Sequence, residues 1–244
     1  MSWFYDWGHD QVSLTPSRTA VAQNASCQSI GPGHLVDGAE YVPMIFSKFA
    51  LANISRINTT FLQGARYVFG YNEPDHSGTY LKPKDGADRW IHMEQLADAY
   101  NLTLVAPCVS NYASGEWWLH EFNQECNASF GRPCRFDHMC VHTYFEPAQV
   151  GAMFDALDRM HRDYGKPIWV NEFACPPYKN CSAADELRFA KLVVPRLEAT
   201  PYIYRYAWFQ ARLSNAKGKG GCSLLGANAS TVRRTVLGDW YNAA

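Results

Sequence analysis

Two apolar runs in this chain end in the same dipeptide. Tyr67-Val68-Phe69-Gly70-Tyr71-Asn72-Glu73-Pro74-Asp75 is the first, and Pro167-Ile168-Trp169-Val170-Asn171-Glu172-Phe173 the second. A carboxylate placed directly after a buried strand is costly unless it is hydrogen-bonded, paired or put to use. Two of them, about a hundred residues apart, point to one site assembled from two strand ends. Paired carboxylates break glycosidic bonds: one delivers a proton to the leaving oxygen, the other stays ionised to attack the anomeric carbon. A separation of about 5 Å gives retention, and a wider gap admits water and gives inversion. Glu73 and Glu172 are therefore the candidate catalytic residues.

The elements that must position them are legible as alternating strands and helices. Seven strand-like runs appear: Trp3–Trp7, Glu40–Phe46, Ala65–Tyr71, Leu102–Cys108, Asp137–Phe145, Pro167–Phe173 and Tyr202–Gln210. Most are short continuous apolar runs, the texture of parallel strands covered on both faces. Helical spacing recurs at Trp90, Met93, Leu96 and Tyr100, and at Val150, Phe154, Leu157 and Met160. Leu187, Ala190, Val194 and Leu197 repeat it, with Pro195 expected to bend or cut that helix. Strand–helix alternation over 244 residues predicts a single α/β domain, residues 1–244, built as a (β/α)8 TIM-like barrel with one strand irregular or missing. Such barrels carry their chemistry at the carboxyl ends of the strands, where both glutamates fall. Asp75–Ala87, Ser110–Arg135 and Cys175–Ala183 read as loops with structure of their own, and the Gly/Lys-rich Ser214–Gly221 as a mobile one.

Composition narrows the partner. Net charge is -1 with no basic cluster, which disfavours nucleic acid and anionic membranes, and no apolar run approaches spanning length. The 8 Trp and 14 Tyr suit a core, and also suit a sugar, whose C–H face stacks on aromatic rings. No metal site is expected, since no second His or Cys lies at ligand spacing from His142, and two carboxylates with water need no cofactor. Eight cysteines without a CxxC permit four disulfides; Cys126–Cys134 and Cys175–Cys181 could each staple a loop. Seven of the 13 asparagines lie in Asn-x-Ser/Thr context, at Asn24, Asn53, Asn58, Asn101, Asn127, Asn180 and Asn228, where chance would give roughly one or two. A secreted monomer is expected. The first residues lack the basic start and long apolar stretch of a signal peptide, so a mature domain is expected.

Asn72-Glu73-Pro74 resembles the signature of clan A retaining glycosidases. Phe69-Gly70-Tyr71-Asn72-Glu73-Pro74-Asp75 resembles more specifically glycoside hydrolase family 128, the fungal-type glycosyl-hydrolase catalytic core. Ser2-Trp3-Phe4-Tyr5-Asp6-Trp7, Tyr41-Val42-Pro43-Met44, Val141-His142-Thr143-Tyr144, Tyr206-Ala207-Trp208-Phe209 and Leu237-Gly238-Asp239-Trp240-Tyr241 fit the same family in order, so the resemblance spans nearly the whole chain. It implies a retaining endo-β-1,3-glucanase acting on β-1,3-glucan polysaccharide or oligosaccharide, with Glu73 as acid/base, Glu172 as nucleophile and Asn72 on the sugar 2-hydroxyl. Exo-action and non-hydrolytic glucan binding are the alternatives.

The supporting residues follow from period two. Cys140, His142 and Tyr144 share a strand face. If it points inward, Tyr144 donates to Glu172, and His142 is a sugar contact or a satisfied buried histidine. Trp3, Tyr5 and Trp7 share another face; Trp7, nearest the strand end, is the best candidate of the three for substrate contact, with Tyr5 a further one. Trp208, on the face of Tyr204 and Tyr206, is the floor under the cleaved sugar by resemblance, or core packing. Tyr71 lines the cleft or packs the barrel, and Trp117 walls the cleft or sits in a helical core contact. Glu94, Glu121 and Glu186 read as solvated helix faces.

Overall fold

The computed structural model describes residues 3–5, 35–36, 39–47, 65–176, 181–211, 222–226 and 233–244. Trp7 and the Ser214–Gly221 loop lie outside the described residues. The chain divides into two compact units, Met1–Cys140 and Val141–Ala244.

In the first unit β1 (Trp3–Phe4) runs parallel to β3 (Ala39–Tyr41), while β2 (Leu35–Val36) is antiparallel to β3. After β3 the ladder breaks at Pro43, which has no N–H to give. Pairing nevertheless continues. Phe69 N–H donates to the Pro43 carbonyl at 2.9 Å, Ile45 N–H to Phe69 at 3.0 Å, and Asn72 N–H to Phe46 at 3.1 Å. The chain at 43–46 thus lies alongside β4 (Tyr67–Phe69), with Met44 and Phe69 in a parallel bridge. β4 is parallel to β5 (Thr103–Val109), Tyr67 opposite Thr103, and the start of β6 (His138–Tyr144) is next in strand order. Cys108 on β5 and Cys140 on β6 are joined by a disulfide whose Cα atoms are 4.4 Å apart.

In the second unit the order continues from the end of β6 to β7 (Ile168–Ala174) and β8 (Ile203–Trp208), with β7 parallel to β8. All seven residues of β7 are buried, as a continuous apolar strand requires. Each of the seven predicted runs contains an observed strand or strand segment.

Five described helices alternate with the later strands: α1 (Pro83–Tyr100), α2 (Tyr112–Phe130), α3 (Val150–Tyr164), α4 (Ala183–Ala199) and α5 (Val236–Ala243). α1 starts on Pro83, where a missing N–H is harmless. α2 begins where the Asn111 side chain accepts the Ala113 N–H at 3.0 Å, so the stretch expected as a loop at 110–135 is mostly helix. Cys126–Cys134 ties its far end, and Cys175–Cys181 closes the loop after β7, as the short spacings suggested. α4 runs through Pro195, so the proline does not cut the helix there. Pro195 is exposed, so the carbonyl that loses its N–H partner is left on the solvent side of the helix.

The first unit's core centres on Trp90, fully buried, edge-on to Tyr71 and Phe122, with its indole N–H donated to the Arg135 carbonyl at 2.8 Å. A Cβ on Gly70 would fall 2.7 Å from the Trp90 ring, so glycine just ahead of Asn72-Glu73 is needed for α1 to close on β4. Among the described residues, no helix is long and apolar enough to cross a membrane.

Candidate active site

β4 delivers Asn72 and Glu73 to its carboxyl end. Glu73 has φ +42°, in the left-handed region that few side chains adopt. Its N–H donates to the Cys108 carbonyl at 2.7 Å. Its own carbonyl accepts the His76 N–H at 3.0 Å and the Thr79 hydroxyl at 2.6 Å. Such a conformation costs on the order of 1–3 kcal/mol and persists only where neighbours over-determine it, a pattern that clusters at functional sites. The Glu73 side chain is partly exposed, with the His76 Nδ1 4.0 Å from its carboxylate. Asn72 is buried, and its Oδ1 meets no donor among the described residues.

β7 delivers Glu172 in a different setting. Its side chain is only 6% exposed. The Tyr144 hydroxyl donates to Oε2, and His142 Nδ1 stands 3.3 Å from the same oxygen. His142 is fully buried. The inward-facing alternation expected of β6 is what brings His142 and Tyr144 to this carboxylate. A phenol donating to a buried carboxylate offsets lost hydration and fixes its orientation. His142 and Glu172 are also groups that could ligate a metal ion.

The remaining expected contacts separate. Tyr71 is fully buried, donates its hydroxyl to the Gly86 carbonyl at 3.1 Å and packs on Trp90; it takes the core alternative, and burial pushes its phenol pKa up. Trp208 also takes the core alternative: its indole N–H donates to the Cys222 carbonyl at 2.7 Å and its ring packs on Phe173, Phe189 and Tyr241. The next residue, Phe209, sits beside the site instead, with its ring edge-on to Tyr144 at 5.8 Å. Trp117 is exposed on α2. Tyr5 is half-buried, stacked with Trp3 and edge-on to Phe69 of β4.

Sequence reasoning missed Phe209 and misplaced two carboxylates. Glu94 is buried and grips the Arg132 guanidinium and the Arg135 N–H, the latter at 2.7 Å. Glu186 is buried and accepts the Cys175 N–H at 3.1 Å, just after the strand that carries Glu172. Burial pushes its carboxyl up to about 7, partly offset by that hydrogen bond. Glu121 is exposed, as expected of a solvated helix face.

The two strand-end glutamates have opposite environments: Glu73 is partly open to solvent on a constrained turn, and Glu172 is buried and held by a phenol.

Known proteins share this fold. A GH128 (subgroup II) endo-β-1,3-glucanase from Sorangium cellulosum superposes with a TM-score of 0.75 at 28% identity, covering 100% of this chain and 90% of that one. A GH128 (subgroup V) exo-β-1,3-glucanase from Cryptococcus neoformans gives 0.75 at 25% identity, covering 99% and 87%. Alkali-sensitive linkage protein 1 of Schizosaccharomyces pombe is 25% identical over 232 residues, which are 92% of this chain and 37% of that protein. The chain therefore spans little more than a third of the curated relative it matches. The family described as the glycosyl hydrolase catalytic core matches residues 1–241. A match of that extent means that the chain belongs to the glycosyl hydrolase catalytic core family.

Proposed function

We propose that the chain is a secreted retaining endo-β-1,3-glucanase, with Glu73 as acid/base and Glu172 as nucleophile on a (β/α)8-type barrel. The observation that carries this reading is the buried Glu172 carboxylate, held at a strand end by the Tyr144 hydroxyl and faced by His142. A carboxylate so oriented is prepared for attack at an anomeric carbon. The Sorangium relative's endo-β-1,3-glucanase description supports the substrate class and mode.

In the first step Glu172 forms an ester with the anomeric carbon while Glu73 protonates the departing glycosidic oxygen. In the second Glu73 takes a proton from water, which displaces Glu172 and restores both carboxyls. The buried Asn72 amide meets the sugar 2-hydroxyl, where contacts strengthen as oxocarbenium character develops. Phe209, rather than Trp208, offers an apolar ring near the nucleophile. The three disulfides among the described residues support an oxidising compartment.

The Cryptococcus relative, equally similar in fold, is described as exo-acting and favours exo-action as a second reading. Product masses over time from laminarin separate the two: a ladder for endo-action, one small product for exo-action. Proton NMR of the first turnover checks retention. The β-anomer is expected first; α-anomer first would overturn the mechanism.

A further inference from the structure

We propose that Asp75 is a positioning residue for the acid/base: it clamps the turn carrying Glu73 to the end of β5. This rests on the reading of Glu73 given above.

Glu73 sits in a left-handed conformation two residues before Asp75. Between them, Pro74 is buried and its carbonyl accepts the Leu81 N–H at 3.0 Å. The Asp75 carboxylate then reaches sideways. Oδ1 accepts the Ser110 N–H at 2.8 Å and Oδ2 accepts the Ser110 hydroxyl at 2.6 Å. Ser110 directly follows β5 and directly precedes Asn111, the N-cap of α2. Two donors from one residue on one carboxylate form a charge-assisted, orientation-specific grip.

The opposing surface is shaped for it. Gly115, in the first turn of α2, is buried, and a Cβ there would fall 2.7 Å from Asp75 Oδ2 and 2.8 Å from Val109 Cβ. The helix has no side chain where the carboxylate must pass. Together with the Glu73 N–H bond to Cys108, the clamp fixes both ends of the turn to β5. Without it, the far end of the turn loses its anchor at Ser110, and Glu73 is freer to relax toward ordinary backbone angles. The carboxyl would then leave the line of the departing oxygen, and positional errors of about 1 Å can lower rates about a hundredfold.

An acid held out of place matters only when the leaving group needs a proton. The test compares laminaripentaose, whose leaving alcohol must be protonated, with 2,4-dinitrophenyl β-laminaribioside, whose phenolate leaves unaided. For Asp75→Ala, kcat/KM on laminaripentaose is expected to fall about 30-fold or more, and on the dinitrophenyl substrate by less than about 3-fold. Turnover of the dinitrophenyl substrate, limited by base-assisted hydrolysis of the glycosyl ester, is expected to recover with azide. Azide displaces Glu172 without giving up a proton and forms the β-glycosyl azide.

Asp75→Asn, which still offers one acceptor to the Ser110 N–H, is expected to restore most of the laminaripentaose rate. Ser110→Ala, which keeps that N–H and loses the hydroxyl, is expected to show the same selectivity at about 3–10-fold. These two variants decide the matter if Asp75→Ala gives no cooperative melt. Equal losses on both substrates, or no loss on either, would overturn the clamp. Wild-type protein that cleaves neither substrate would overturn the glucanase reading itself.

Discussion

Tyr144 does for Glu172 what water does for an exposed carboxylate, but from a fixed direction. Its hydroxyl and the His142 ring meet one oxygen, Oε2, inside a wall that admits little solvent. Tyr144→Phe removes the donor and leaves the ring in contact with Phe209. We expect kcat on laminarin to fall by about 10–100-fold, with the thermal midpoint moving only a few degrees. Unchanged kcat would remove Tyr144 from the site. Phe209→Ala is expected to lower kcat/KM by about 10-fold, whereas Trp208→Phe, at a core position, acts mainly on the melt. At this scale the sequence was readable where period two operated: Cys140, His142 and Tyr144 could be put on one face before any coordinates. It was not readable at Trp208. Strand alternation groups Tyr204, Tyr206 and Trp208, but which face turns inward depends on Phe189 of α4 and Tyr241 of α5, partners distant in sequence.

Among the elements, β7 and the loop after it are held from behind by α4. Glu186 on that helix accepts the Cys175 N–H three residues beyond Glu172, from a buried position. Its carboxyl is raised to about 7 by burial, against about 4.5 when unfolded. The folded protein therefore binds more protons than the unfolded chain between those values. This contribution to stability is full below about pH 4.5 and is lost as pH rises through 7, an effect on the order of 3 kcal/mol. Glu186→Gln should flatten the fall in melting temperature between pH 4.5 and 7; a profile identical to wild type would contradict the assignment. The sequence could not give this, because Glu186 has helical spacing but no signal of which carboxylate meets a strand-end N–H. The Cys108–Cys140 link closes 32 residues across β5 and β6. Replacing both cysteines with alanine should lower stability by about 3–4 kcal/mol in urea unfolding. A difference below about 1 kcal/mol would show that the strands hold register without it. That pairing, too, was closed to sequence reasoning, which found only the two short loops.

For the molecule as a whole, the alternation of apolar runs and helical patterns foretold the α/β architecture: each of the seven runs contains an observed strand or strand segment, while β2 falls outside them all. Of the two outcomes expected at Pro195, a bend or a cut, the cut does not occur, because an exposed proline removes a hydrogen bond only where water can replace it. The seven sequons and three disulfides are the chain-wide features that support secretion, and mass analysis of chain expressed through a eukaryotic secretory pathway should find N-linked glycan at one or more of them. The family match spans residues 1–241, a range that contains both glutamates, and the proposed function follows only if both are needed. Reducing-sugar release from laminarin by wild type, Glu73→Gln and Glu172→Gln measures that need. Active wild type with each variant slowed by about a thousandfold or more is the expected result. Glu172→Gln releasing sugar as fast as wild type would contradict it.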